Sequence, residues 1–207
     1  MAQAPVTAKP EVVLAFDGAT EHLTLAAVTT APNLLGSHTV HLGRAHAARL
    51  PGELEAFLAG LGVERSAVVS IVVGIGPGSY TGIRVSTSFA KGLARALGVP
   101  LFGASSLVAV GGPGLRPGAS GVALLDARRG NCYAQALRRE GDLPGGVPRI
   151  TPLSEPIKVA REELPALFPG LEALPEAPPE AAYLCAVALT GDLSDEARAR
   201  VVSPLYL

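Results

Sequence analysis

The residues best placed to do chemistry lie in one run, Gly74 to Gly98, which reads GIGPGSYTGIRVSTSFAKGLARALG. A glycine-rich turn between a strand and a helix can present backbone N–H groups to a phosphate. It can also let another helix approach closely. The run is not a Walker A loop, because no Gly-Lys-Ser/Thr closes it. It is not the dinucleotide fingerprint either. Counting from Gly74 puts Ser79 at the third glycine position, and counting from Gly76 puts Thr81 there. A phosphate reading therefore rests on Gly76, Gly78 and Ser79, and the competing reading makes Ser79 a helix N-cap. Asp17 and Asp126 each end an apolar run. One carboxylate per lobe could hold a metal–nucleotide between them, although strand-end aspartates also form turns.

Other chemistry is poorly supplied. The histidines are His22, His38, His41 and His46, and no pair has the i, i+4 spacing of a helical zinc site. His38 and His41 fall on opposite faces of the strand expected there. No G-x-S-x-G elbow occurs. Cys132 and Cys185 form neither a C-x-x-C pair nor a disulfide framework, so both read as reduced core thiols.

The elements that must position these residues follow from periodicity. Val12–Phe16, Leu23–Thr30 and Ser37–Leu42 read as three strands joined by two hairpins. Leu50, Leu54, Phe57, Leu58 and Leu61 make one helical face. Pro51 requires that helix to begin or bend near it. Ala67–Gly74 reads as a strand covered on both faces. The second helix, Thr81–Leu97, ends at Gly98 with Pro100 beyond it. On it Gly82, Ser86 and Ala90 form one small-residue stripe and Ser88, Gly92 and Ala96 a second, flanking a ridge of Val85, Phe89, Leu93 and Leu97. Each interior glycine costs about 1 kcal/mol against alanine, so the two stripes predict close approach on two sides. One approach would come from the chain's own sheet, the other from another helix of the same lobe or from a partner subunit.

A short strand, Leu101–Gly103, and a helix over 105–110 complete the order β-β-β-α-β-α-β, which is that of ribonuclease H. After the joint GGPGLRPGAS, Gly121–Asp126 and Asn131–Arg139 repeat the opening hairpin. Short helices are expected over 161–168 and 180–189, with an extended tail VVSPLYL. The expected organisation is a flexible tail over 1–10, an N-terminal ribonuclease-H-like lobe over 11–111 and a smaller C-terminal lobe over 112–207.

In 207 residues, 48% hydrophobic content supports a real core, and a net charge of −1 argues against holding nucleic acid by bulk electrostatics alone. The opening residues lack an apolar stretch ahead of the first strand, and no apolar run reaches the ~20 residues of a membrane span. A cytoplasmic protein is expected. Three lysines against many arginines read as genome base composition.

LAFDGAT, the glycine block, GASSL, LLDARRGNCYA and the ending PLYL occur in order along the whole chain. Together they closely resemble the TsaB (YeaZ) family. The resemblance implies an α/β fold of two ribonuclease-H-like lobes, of the actin/Hsp70/sugar-kinase (ASKHA) superfamily, with the second lobe abbreviated. It implies a non-catalytic subunit for forming N6-threonylcarbamoyladenosine beside the anticodon of tRNA. The partners it implies are the catalytic relative TsaD and the ATPase TsaE, with tRNA touched weakly or through them, and a homodimer when the chain is alone. TsaD has an H-x-x-x-H where this chain has His46 and Leu50, so no metal pair is expected. The family's docking helices map onto Leu54, Phe57, Leu58, Gly82, Val85, Ser86, Phe89, Ala90 and Leu93. Asp17 and Thr20 match the superfamily's first phosphate-facing turn, and Ala19 stands where related ATPases often carry glycine. No cofactor of its own is implied; ATP or ADP at the interface with TsaD is left open. The rival readings are an ATP-dependent kinase built on Asp17 and the glycine turn, and a metallopeptidase, against which the histidine spacing argues.

Overall fold

An unbroken apolar run can be a strand only where both its faces are covered, and Val12–Asp17 (β1) is buried at every residue. The computed structural model describes residues 10–190 and 202–207. The expected tail over 1–10 and the start of VVSPLYL fall largely outside the described residues. β2 (His22–Thr29) folds back antiparallel on β1, and β3 (Leu34–His41) pairs antiparallel with β2 at the half-exposed edge. β4 (Val68–Gly74) and β5 (Leu101–Ala104) run parallel, giving the order β3-β2-β1-β4-β5. Each parallel step needs a crossover, supplied by α1 (His46–Gly60) and α2 (Tyr80–Leu97).

Period-2 alternation divides the core. Leu14 and Phe16 face α1 and α2, among Leu50, Leu54, Leu58, Ala90 and Ala94. Val13 and Ala15 face the other way, toward α3 (Ser106–Gly111) and the second sheet's Ala123 and Leu137. That second sheet contains β6 (Ser120–Asp126), β7 (Asn131–Leu143), β8 (Val147–Pro152) and β9 (Ile157–Ala160). The first half of β7 pairs with β9 and the second half with β8, across a register shift between Arg139 and Gly141. On the far side of β6, Val122 forms a parallel bridge opposite Ala173, its N–H donating to Glu172 O and its carbonyl accepting from the Leu174 N–H, both at 2.9 Å.

Several expectations are corrected. α1 starts five residues before Pro51, which lies inside the helix on an exposed side where water can serve the carbonyl left without a donor. β8 and β9 lie in a Pro-, Gly- and Glu-rich stretch whose pattern defines no strand: Pro148 and Pro152 interrupt β8, and β9 is only four residues long. The helix over 161–168 is one 3-10 turn followed by α4 (Leu164–Leu167), and that over 180–189 is a 3-10 turn followed by α5 (Ala186–Thr190).

Candidate functional site

The glycine turn is closed by the chain itself. The Ser79 N–H donates to Ala19 O at 2.7 Å, and the Gly76 N–H donates to Ser106 Oγ at 2.9 Å. Ser79 Oγ accepts from the Gly82 N–H at 3.2 Å, the N-cap expected from the sequence. Thr20 Oγ1 accepts from the His22 N–H at 3.0 Å. A Cβ on Gly82 would lie 2.0 Å from Gly18 O, so any side chain in this first turn of α2 would push the β1–β2 turn away. The structure therefore does bring Asp17, Thr20, Gly76, Gly78 and Ser79 together, but it turns the donors of Gly76 and Ser79 onto protein acceptors.

Asp17 is fully buried. One carboxyl oxygen accepts from the Ala19 N–H at 2.7 Å and the other from the Ser106 hydroxyl. Burial pushes its pKa up, and the Ser106 hydroxyl, the Ala19 N–H and His46 pull partly back. The carboxylate lies 1.5 Å from where a Cβ on Gly74 would sit, so Gly74 makes the space it occupies. Asp126 by contrast is an exposed turn-former, accepting from the Arg128 N–H at 3.2 Å. The two aspartates thus do not form the metal–nucleotide pair considered from sequence. An Mg–nucleotide does not fit these residues as they stand. Ser106, which lies in the GASSL block but not among the site residues expected from sequence, ties β1 to the glycine turn.

Among the described residues no group of three or more His, Cys, Asp or Glu could hold a metal. His46 is buried with its ring Nε2 3.3 Å from His22 O, and His41 meets Glu21 at the surface.

The open feature is the seam between α1 and α2. Leu54, Leu58, Phe89, Leu93 and Leu97 line a groove of about 260 Å³, rimmed by the Arg65–Glu55 pair. Phe57 and Val85 flank the same cluster half-buried, and Phe89 meets Phe16 edge-on at 6.1 Å. Gly82, Ser86 and Ala90 require correction as partner-facing residues. All three are buried beneath the chain's own β1–β2 turn and sheet, and the Ser86 hydroxyl donates to Gly82 O at 2.8 Å. The second stripe, Ser88, Gly92 and Ala96, is exposed.

A larger cavity of about 550 Å³ opens between the two sheets, lined in part by Ile75, Ser105, Gln135, Ser154 and Leu205. Ser105 donates to Gln135 Oε1 at 2.6 Å, and Gln135 Nε2 donates to Ser154 O at 2.9 Å. None of the five nucleotide candidates lines it. From sequence Ser105 marks only the start of a short helix; in the structure it also caps that helix, its Oγ accepting from the Leu107 N–H at 3.3 Å.

Strand order β3-β2-β1-β4-β5, with α1 and α2 in the crossovers and a second, four-stranded sheet packed behind, defines an α/β protein of ribonuclease-H-like order whose glycine turn is closed by its own chain. The family model described as TsaD, tRNA N6-adenosine threonylcarbamoyltransferase, matches residues 40–144. An uncharacterized protein of Mycobacterium tuberculosis is 36% identical over 58% of this chain and 56% of its own length. The chain thus spans little more than half of that relative. The tRNA threonylcarbamoyladenosine biosynthesis protein TsaB of Bacillus subtilis is 30% identical over 76% of this chain and 70% of its own. YeaZ from Pseudomonas aeruginosa shares the fold, with a TM-score of 0.75 at 24% identity, over 95% of this chain and all (100%) of the other. The chain belongs to the TsaB (YeaZ) family. Among the described residues no helix is long and apolar enough to cross a membrane.

Proposed function

We propose that this chain is a cytoplasmic, non-catalytic subunit for forming N6-threonylcarbamoyladenosine in tRNAs that read codons beginning with A. It docks a TsaD-like catalytic subunit through the α1–α2 groove, and a TsaE-like ATPase joins the pair. One contrast carries this reading. The residues that would grip a nucleotide are engaged within the chain, while an apolar seam between two helices is left open. The TsaD family model spans that seam, and the B. subtilis relative's name supplies the pathway. Any ATP or ADP at the shared interface would then need the partner's groups to hold it.

The test is Leu93→Asp and Leu97→Glu, two groove-lining residues that are only half-buried. Each variant should keep a cooperative thermal transition, lose co-purification with the TsaD-like protein and fail to support tRNA threonylcarbamoylation. A folded variant that still binds its partner normally would overturn the docking assignment. Self-association through the same seam would appear as a concentration-dependent dimer lost in both variants. Micromolar Mg–ATP binding by the isolated chain, abolished in Asp17→Ala, would favour the kinase reading instead.

A further inference from the structure

The chain is near neutral, but its charge is unevenly placed. From Arg65 to Leu125 there is no aspartate or glutamate, while Arg65, Arg84, Lys91, Arg95 and Arg116 all fall within that stretch. Three of these five lie on α2. At 3.6 residues per turn, positions 80, 84, 88, 91 and 95 share an arc of about 80°. Tyr80, Arg84, Ser88, Lys91 and Arg95 are all exposed. Arg65 pairs with Glu55. Arg84, Lys91 and Arg95 have no carboxylate partner among the described residues.

Surface helices ordinarily gain from opposite charges at i, i+4, and this face has none. The helix dipole favours a cation at Arg95, in the last turn, but offers no such reason for Arg84 near the positive end. Arg84 is held in place: Nη1 donates to Tyr80 Oη at 2.6 Å, and its guanidinium lies 5.2 Å from the Tyr80 ring centroid. Tyr206 brings a second ring to 5.1 Å from the first. Both rings are more than half exposed, at 57% and 53%. Their platform is anchored, because the Leu205 N–H donates to Ile75 O at 2.7 Å and Val202 is buried.

We propose that this face of α2 is an RNA track, with Arg84, Lys91 and Arg95 meeting backbone phosphates and Tyr80 and Tyr206 offering a stacking surface to an unpaired base. Cations without carboxylates suit a polyanion. Exposed rings beside them suit nucleobases, whereas an acidic protein surface would use the cations and leave the rings idle. The track runs about 22 Å along the helix. It points away from Phe89, Leu93 and Leu97, so RNA and a protein partner can be held on different sides of one helix. The choice of tRNA as the RNA rests on the reading under Proposed function.

The test is a titration of fluorescein-labelled, unmodified tRNA that reads a codon beginning with A, against the chain alone and with its TsaD-like partner. The triple variant Arg84→Ala, Lys91→Ala, Arg95→Ala should bind tRNA at least tenfold more weakly at low salt. The slope of log K against log salt should become shallower by about 2 to 3. Tyr206→Ala should weaken binding about fivefold or more with the slope unchanged. Arg116→Ala, Arg138→Ala, Arg149→Ala, the same change in net charge, should leave affinity unaltered. Wild-type tRNA affinity in the triple variant, or loss of the protein partner with tRNA binding intact, overturns the proposal. Absence of tRNA binding by the wild-type chain in both states overturns it too. If the Proposed function alone is wrong, co-purification and threonylcarbamoylation fail while the titration of the isolated chain still separates the variants.

Discussion

Two glycines of α2 should respond to the same substitution with opposite signs. Gly→Ala inside a helix contributes about 1 kcal/mol through backbone entropy. At Gly92 an added Cβ has no atom within 4 Å, so the gain is kept whole. At Gly82 the Cβ would sit 2.0 Å from Gly18 O and 3.2 Å from the carbon of that carbonyl. The β1–β2 turn would have to retreat by more than 1 Å, as judged against ordinary van der Waals contact at 3.4 Å. That turn also carries Ala19, which is bonded to both Asp17 and Ser79. Overpacking costs about 1–3 kcal/mol, and each weakened buried hydrogen bond adds about 1 kcal/mol. Against the ~1 kcal/mol helical gain, Gly82→Ala should come out destabilised by about 2 kcal/mol. In a chain of this size a kcal/mol moves Tm by about 2–4 °C. Gly92→Ala should therefore melt about 2–4 °C above wild type and Gly82→Ala about 4–8 °C below it. Urea unfolding should give the same order with unchanged m-values. If Gly82→Ala proves as stable as Gly92→Ala, the turn is not packed on α2 and the account of the closed glycine loop fails.

The buried carboxyl predicts a pH signature. Asp17 has its folded pKa raised above 3.8, so the stability it contributes is fully present below that value and lost as pH rises through the raised one. Asp17→Asn, neutral throughout, should gain on wild type across that window in urea unfolding at stepped pH; parallel profiles would refute it. The thiols should be silent in the native state. Burial pushes Cys185 up to about 12 and raises Cys132 as well. Ellman's reagent at mildly alkaline pH should find both thiols only after denaturant is added, and rapid reaction of the native chain would show that one of them is accessible.

The five-stranded sheet and its two crossover helices were readable because their signals are local. Unbroken apolar runs, Ser79 as a cap and Gly98 as a left-handed stop at φ 69° each act within a few residues. β8 and β9 were not, because they are defined by pairing with a long, bent β7 rather than by their own alternation. The stripe of Gly82, Ser86 and Ala90 correctly announced a close approach, but small residues do not say whose backbone arrives. Here it is the Gly18 carbonyl, about sixty residues earlier in the chain. Periodicity could likewise not distinguish the donors of Gly76 and Ser79 from a phosphate cradle, because their acceptors, Ser106 and Ala19, lie on other elements.

Closure of the turn and openness of α2 are physically linked. To admit a phosphate at Gly76–Ser79, the chain would have to give up the Ser79–Ala19 and Gly76–Ser106 bonds and disturb the Asp17 carboxyl beneath them. The bonds left unmade would cost roughly 1–3 kcal/mol each. Those same contacts fix the first turn of α2 against β1. A helix clamped at its N-terminus presents its other faces in constant directions: Phe89, Leu93 and Leu97 to the groove, Arg84, Lys91 and Arg95 to the outside. A nucleotide-driven opening of the turn would swing both faces at once and spoil whatever each is aligned with. This coupling supports the docking role proposed above over a chain that closes on its own nucleotide.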